Sequence, residues 1–198
     1  LITGITGQDG HYLGRLLSSR DYNIHGLVRV NSAPDNAAED MHFHRVNLAD
    51  PKSVAAVIAQ VKPNVIFHLA AESSVAGSWE HPNSSCLINT IPIVSLLDTC
   101  FSIENNKEAD QDINASSAEI FAGNRVHPQD ETSPLSPLSP YGAAKAFSHH
   151  IVQVYRNRGL HCSNAILYNH ESPLRSSRFV SRKISMAVAR IATGCTAK

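Results

Sequence analysis

The 198 residues, 42% of them hydrophobic, suffice for one domain with a real core. Lys and Arg (17) balance Asp and Glu (17), so bulk charge gives no reason to expect nucleic acid or an anionic membrane as partner. The 11 His are scattered and Cys86, Cys100, Cys162 and Cys195 lie far apart, which argues against a metal site and a disulfide framework and for intracellular free thiols.

Apolar bursts alternate with helical patterns along the chain. A strand at Leu1 to Thr3 runs into a glycine loop, and Tyr12 to Leu17 is expected as an amphipathic helix. Strands are expected at Ile24 to Val28, at Met41 to Leu48 and at Asn64 to Leu69, with a helix at Val54 to Val61. A long helix follows at Cys86 to Cys100, then a weakly written strand near Ile113. A helix at Tyr141 to Arg156, a strand at Cys162 to Tyr168 and a helix at Phe179 to Ala192 complete the pattern. Val30 to Asp40 is polar and reads as a mobile loop, Glu104 to Asp112 is acidic, and Pro128 to Pro140 is a Pro- and Ser-rich connection. Alternation of this kind predicts a parallel sheet with helices on both faces. No apolar run reaches the roughly 18 residues of a membrane span. No basic-then-apolar leader opens the chain, so a soluble, cytoplasmic protein is expected. Leu1 already stands inside a strand pattern and Lys198 closely follows a helical one, so a piece of a longer protein is expected.

Gly4-Ile5-Thr6-Gly7-Gln8-Asp9-Gly10 lies between the first strand and the first helix. Glycines there permit a tight turn and a close approach to a pyrophosphate at a helix N-terminus; the alternative is an ordinary glycine turn. After the second strand, Val28-Arg29-Val30-Asn31-Ser32 offers a cation where an NAD site would offer a carboxylate, which favours NADP unless Arg29 is simply a surface residue. Ala70-Ala71 after the fourth strand reads either as room for a cofactor or as tight packing. Tyr141 and Lys145, four apart with Pro140 at the helix start, share one helical face. A nearby ammonium lowers a phenol's pKa and makes it a usable proton acceptor, although such pairs also arise by chance.

With the glycine loop upstream, Ser117, Tyr141 and Lys145 resemble the catalytic Ser/Thr, base and ribose-binding lysine of the extended short-chain dehydrogenase/reductase superfamily. His68-Leu69-Ala70-Ala71 resembles that superfamily's motif after the fourth strand, and Ile88-Asn89-Thr90 its Asn-bearing helix segment. The opening phrase Leu1 to Gly10, Ser139-Pro140-Tyr141-Gly142-Ala143-Ala144-Lys145 and Asn169-His170-Glu171-Ser172-Pro173 with Arg175 and Phe179 to Lys183 resemble, in order, the GDP-mannose 4,6-dehydratases.

That resemblance implies a Rossmann-type doubly wound α/β domain over 1–168. The start of a smaller substrate-binding region, largely missing here, would occupy 169–198. It implies NADP, with NAD as the alternative, a GDP-mannose substrate and a homodimer or homotetramer. Gly4 to Gly10 would hold the pyrophosphate, Arg29 and Ser32 the adenosine phosphate, and Asn47 and Leu48 would lie by the adenine. Leu69, Ala70, Ala71, Glu72 and Ser73 would line the cofactor, with His170 and Arg175 near its nicotinamide end. Ser74, Glu119, Asn169, Val180 and Lys183 would face the nucleotide-sugar. Glu119 stands where sugar-nucleotide dehydratases place the carboxylate that removes the C5 proton, although some reductases and decarboxylases also carry Glu there and a solvated loop acid is the plain alternative. The rivals are another nucleotide-sugar epimerase, reductase or dehydratase, and a catalytically silent NADP-binding protein. The chain departs from the family pattern at Val30, Asn47, Glu72, Ser84 and Ala118, and its loop after the second strand is short.

Overall fold

Short strands joined through helices cannot return as hairpins, so they pair in parallel. The computed structural model, which describes residues 1–31, 41–104 and 111–195, has one six-stranded parallel sheet. Its strands are β1 (Ile2–Thr3), β2 (Ile24–Val28), β3 (Met41–Arg45), β4 (Val65–His68), β5 (Gln111–Ser117) and β6 (Cys162–Leu167), in the order β3-β2-β1-β4-β5-β6. This is the doubly wound arrangement expected from the alternating pattern. The strand order reverses between β1 and β4, and the crevice outside the carboxyl ends of those two strands is where such sheets bind ligands.

The side-chain period of two sorts the core into two layers. Leu1, Leu27 and Ile66 face one way, onto Val54, Val57 and Ile58 of α2 (Pro51–Val61), Ile93, Leu96 and Leu97 of α4 (Pro82–Glu104) and Val152 of α5 (Pro140–Asn157). Ile2, Ile24 and Val28 face the other way, with Leu13 and Leu17 of α1 (Gln8–Ser18). Helix starts follow local chemistry. Asp50 caps α2 by accepting from Lys52 N with Pro51 at the first position, Ser139 caps α5 through Gly142 N with Pro140 likewise, and Ser74 caps the six-residue α3 (Val75–Glu80).

Several element ends differ from the sequence expectation. β3 stops at Arg45, because Asn47 turns the chain: its Oδ1 accepts from Ala49 N at 3.0 Å and its carbonyl from Asp50 N at 2.9 Å. α1 begins at Gln8 rather than Tyr12, since its first turn carries the buried Gly10 and no apolar side chain. α3 was not expected at all. The loop expected from Val30 lies outside the described residues from position 32 on, as does most of the acidic stretch after Glu104.

α4 is longer than expected, and its Pro82–Ile103 stretch is long and apolar enough to cross a membrane by length and composition alone. Polar residues hid it from a search for an unbroken apolar run. Thr90, Ser95, Thr99 and Ser102 each return a hydroxyl to the carbonyl four residues back, at 2.7 to 3.0 Å, so none interrupts the helix. One face of the helix packs into the core of the sheet-bearing unit, with Leu96 and Leu97 almost wholly buried.

The described chain divides into two units, Leu1–Tyr168 and Asn169–Lys198, the second containing α6 (Val180–Ala192). Leu97 sits at the centre of the larger core with no exposure. Leu97→Ala is expected to lower unfolding free energy by about 2–5 kcal/mol in urea titration, with an unchanged slope.

Candidate active site

The turn after β1 is main chain packed on main chain. Gly4 has φ +71°, and a Cβ placed there would stand 2.8 Å from the Cα and nitrogen of Ala70. A Cβ on Gly10 would come within 2.3 Å of the Gly4 carbonyl oxygen. Main chain therefore meets main chain where the turn after β1 lies against the loop after β4, which is the tight-packing reading of Ala70-Ala71. Thr3 secures the junction: its buried hydroxyl accepts from Ala70 N at 3.0 Å and shares a 2.9 Å hydrogen bond with His68 Nδ1. Gly7 caps α1 without a side-chain oxygen, unlike Asp50, Ser74 and Ser139 on their helices. The donor set at this helix start is thus backbone N–H, the chemistry a pyrophosphate requires. On these observations the residues present fit a dinucleotide.

Around the crevice, Arg29 is exposed at the end of β2, and Ser32 lies outside the described residues. Asn47 Oδ1 is committed to its own turn, and half-buried Leu48 packs against the larger core. Leu69 packs beside β1, Ser73 is exposed, and Ser74 gives its hydroxyl to the α3 cap. The carbonyl of Glu72 is held from α4 by Asn89 Nδ2 at 3.1 Å, and Asn89 O accepts from Ser148 Oγ at 2.7 Å. The loop after β4 is thus tied through α4 to α5.

The catalytic candidates converge through one close contact. Ser117 ends β5, and its Oγ accepts from Glu119 N at 3.3 Å, starting a 3-10 turn over Ala118–Phe121. Ile120 and Phe121 bury that turn against Ala146 of α5. A Cβ on Gly142 would stand 2.9 Å from the Glu119 carbonyl oxygen, so only glycine lets the first turn of α5 lie this close. Tyr141 is buried beside it. Lys145, one turn on, has its Nζ 6.0 Å from the Tyr141 ring centroid and donates to the Ala115 carbonyl at 2.7 Å. Burial pushes Lys145 down to about 8. Burial, and then the charge of Lys145, push His68 down to about 3, so the imidazole stays neutral beside the ammonium.

Ser117 and Glu119, after β5, thus lie in a turn beside the start of α5, which carries Tyr141 and, one turn on, Lys145. That set can remove a proton from an alcohol, and a second from a neighbouring carbon. Ala115 O and Thr3 escaped sequence reasoning. A main-chain carbonyl has no sequence signature, and a threonine in a strand reads as β propensity.

The sequence profile of the GDP-mannose 4,6 dehydratase family matches residues 1–198. The chain belongs to this family. Among its GDP-mannose 4,6-dehydratase relatives, that of Homo sapiens is 38% identical over 98% of this chain and 56% of its own. That of Vibrio cholerae serotype O1 is 36% identical over 98% of this chain and 55% of its own. The chain spans about half the length of the relatives it matches. The solved structure of Thermus thermophilus UDP-glucose 4-epimerase, a complex with NAD, superposes over 99% of this chain and 63% of its own with a TM-score of 0.85 at 24% identity, a likeness of fold.

The family's Asn-His-Glu-Ser-Pro segment opens the second unit, where Glu171 organises its neighbours. Its Oε2 accepts from Ser181 Oγ at 2.6 Å and lies 3.3 Å from Arg175 Nε, and the Arg175 guanidinium stacks 3.6 Å from the Phe179 ring centroid. Asn169 and His170 precede this cluster; Val180 and Lys183 lie in the first turn of α6, with Lys183 N donating to Phe179 O.

Lys145 also makes a stability prediction. Its pKa in the folded protein lies below the ordinary 10.5. Below about pH 8 both states carry the charge and only the folded state bears its desolvation. Stability should then rise between about pH 8 and 10.5, where the folded protein has shed the proton and the unfolded chain has not. Lys145→Met is expected to match or exceed the parent at pH 7 and to lose that advantage by pH 10, a relative change on the order of 2–3 kcal/mol in urea titrations. Parallel pH profiles for the two proteins would refute the burial cost.

Proposed function

We propose that the chain is the dinucleotide-binding and catalytic part of a GDP-mannose 4,6-dehydratase, a lyase that converts GDP-mannose to GDP-4-keto-6-deoxymannose and recycles NADP. The observation that carries this reading is Glu119. An alcohol oxidation needs only Ser117, Tyr141 and Lys145. Glu119, two residues after Ser117 in the turn that touches Gly142, offers the further carboxylate that a dehydration needs.

NADP, held with its pyrophosphate on Gly4 to Gly10, would supply the hydride acceptor for C4 of the sugar and the hydride donor for C6. Tyr141 takes the O4 proton, with the Lys145 charge favouring its phenolate form and Ser117 orienting the hydroxyl. A ketone at C4 acidifies the C5 proton, which Glu119 removes, and water departs from C6 with the proton Glu119 returns. The hydride returned to C6 makes net redox zero, and the proton that Tyr141 took from O4 balances the one restored to C5.

In this reading residues 1–168 form the dinucleotide domain, with Gly4 to Gly10 on the pyrophosphate and Leu69 to Ser73 along the cofactor. Residues 169–198 begin the region that receives the nucleotide-sugar, with Asn169, Val180 and Lys183 toward the substrate and His170 and Arg175 toward the nicotinamide. The proposal extends to a cytoplasmic homo-oligomer, NAD being the alternative cofactor.

The test uses the full-length parent protein. Incubated separately with GDP-mannose and with UDP-sugars, it is expected to form a 4-keto product from GDP-mannose alone. Glu119→Gln is expected to bind NADPH as the parent does while losing about 10²–10⁴-fold in dehydration. Normal turnover in that variant would remove Glu119 from the chemistry, and a 4-keto or epimerised product from another nucleotide-sugar would redirect the substrate.

A further inference from the structure

The 11 histidines are scattered along the sequence, but the sheet gathers three of them. His42 and His44 alternate on β3 with Met41 and Phe43, which pack with the core layer beneath α1. The two imidazoles therefore stand on the opposite face of the sheet. His25 of β2 stands on that face too, directly beside His42 in the register. β3 is the edge strand, and solvent reaches each ring: His42 is exposed, and His25 and His44 are half-buried. Sequence order conceals the trio, since His25 lies 19 residues before His44.

Two of the rings already meet. His25 Nδ1 and His44 Nε2 lie 2.9 Å apart, with ring centroids 5.2 Å apart and planes inclined by 23°. A centroid separation so much longer than the nitrogen contact means that edges, not faces, are turned together. The in-plane directions of the two nitrogens therefore converge on one gap. Burial first, and then His42, hold both rings below the ordinary imidazole range, so each keeps a lone pair at neutral pH. In a tetrahedral zinc site, imidazole nitrogens about 2.0–2.1 Å from the metal stand about 3.3 Å from each other. Exchanging the shared proton for an ion thus asks His25 and His44 to part by roughly 0.4 Å. Among the described residues, no three His, Cys, Asp or Glu side chains are already arranged to hold a metal ion. The third ligand has to turn in. His42 can do so, being exposed and having its ring centroid 4.8 Å from that of His25.

We propose that His25 and His44 take a divalent cation of the imidazole-preferring class, zinc above all, between them, with His42 turning in as third ligand. The ion clips the edge strand β3 to β2. The inference uses neither the dinucleotide reading nor the sugar chemistry.

The experiment equilibrates the full-length protein, stripped with EDTA and desalted, with Zn²⁺ against a chromophoric indicator. The parent is expected to take up zinc, and Mg²⁺, which prefers oxygen ligands, should not compete. His25→Ala and His44→Ala should each weaken zinc by about 100-fold or more, and His42→Ala by about tenfold. His44→Cys should recover binding, because a thiolate ligates zinc but cannot restore the imidazole pair. Melts read by circular dichroism report the clip: zinc should raise the parent's midpoint and leave that of His44→Ala unchanged. The same melts in EDTA show which variants are folded. Zinc-dependent shifts of the His25 and His44 ring resonances in the parent's NMR spectrum test the site without any substitution. Shifts confined to other histidines, or equal zinc affinity in the parent and the alanine variants, would place the ion elsewhere and overturn the proposal. So would a parent that takes up no zinc, which would leave the trio as a hydrogen-bonded patch on the sheet.

Discussion

The distance between α5 and the end of β5 governs what the rest of the structure can do. It is set by a side chain that is not there: at Gly142 a methyl group would meet the Glu119 carbonyl at 2.9 Å. Because the first turn of the helix lies this close, Tyr141 is buried next to the strand end, and Lys145 reaches the Ala115 carbonyl one turn later. Lower down, the same helix is held to β5 by Ser116 Oγ and His149 Nδ1 at 3.3 Å, and to β6 by Asn164 Nδ2 and the His149 carbonyl at 3.0 Å. The cap at Ser139 fixes where the helix begins, and therefore which face it turns to the sheet.

Burial gives these groups their chemistry as well as their places. An ammonium with 4% of its surface exposed is costly to keep charged, and the same low-dielectric surroundings magnify its field on nearby groups. His68 is held well below its ordinary pKa first by its own burial and then by the Lys145 charge. The neutral imidazole can then serve as a fixed hydrogen-bonding partner to Thr3, which holds the β4 loop against the glycine turn. The glycine turn and α5 are thus linked twice, once through the Lys145 charge acting on His68 and once through Asn89 and Ser148. α4 carries the second link, so a helix apolar enough to suit a membrane serves here as the beam between the two halves of the site.

Much of this was legible one residue at a time. The alternation of apolar strands with helical stretches gave the parallel sheet, because each period reports which faces are buried. The glycine spacing after β1 gave the crevice, and Tyr141 with Lys145 gave the reactive helical face. Ends were read less well. A period needs several residues to declare itself, so the extra turns of α1 and α4, the short α3 and the early stop of β3 were missed. The side chain of Asn47, expected beside the adenine, gives its oxygen to a local turn, a competition between neighbours that spacing alone does not reveal.

By itself, then, the sequence determined the fold class, the family and the kinds of reactive group this chain carries. Those are properties of local period and residue type. Only the tertiary structure decided that the Ala115 carbonyl would hold Lys145, that Asn89 would hold Glu72, and that Arg45 would cross to the end of β2. Each of these joins residues 15 to 30 positions apart through a main-chain carbonyl. Every residue has a carbonyl, so nothing in the order of side chains says which one a distant donor will find until the sheet has brought them together.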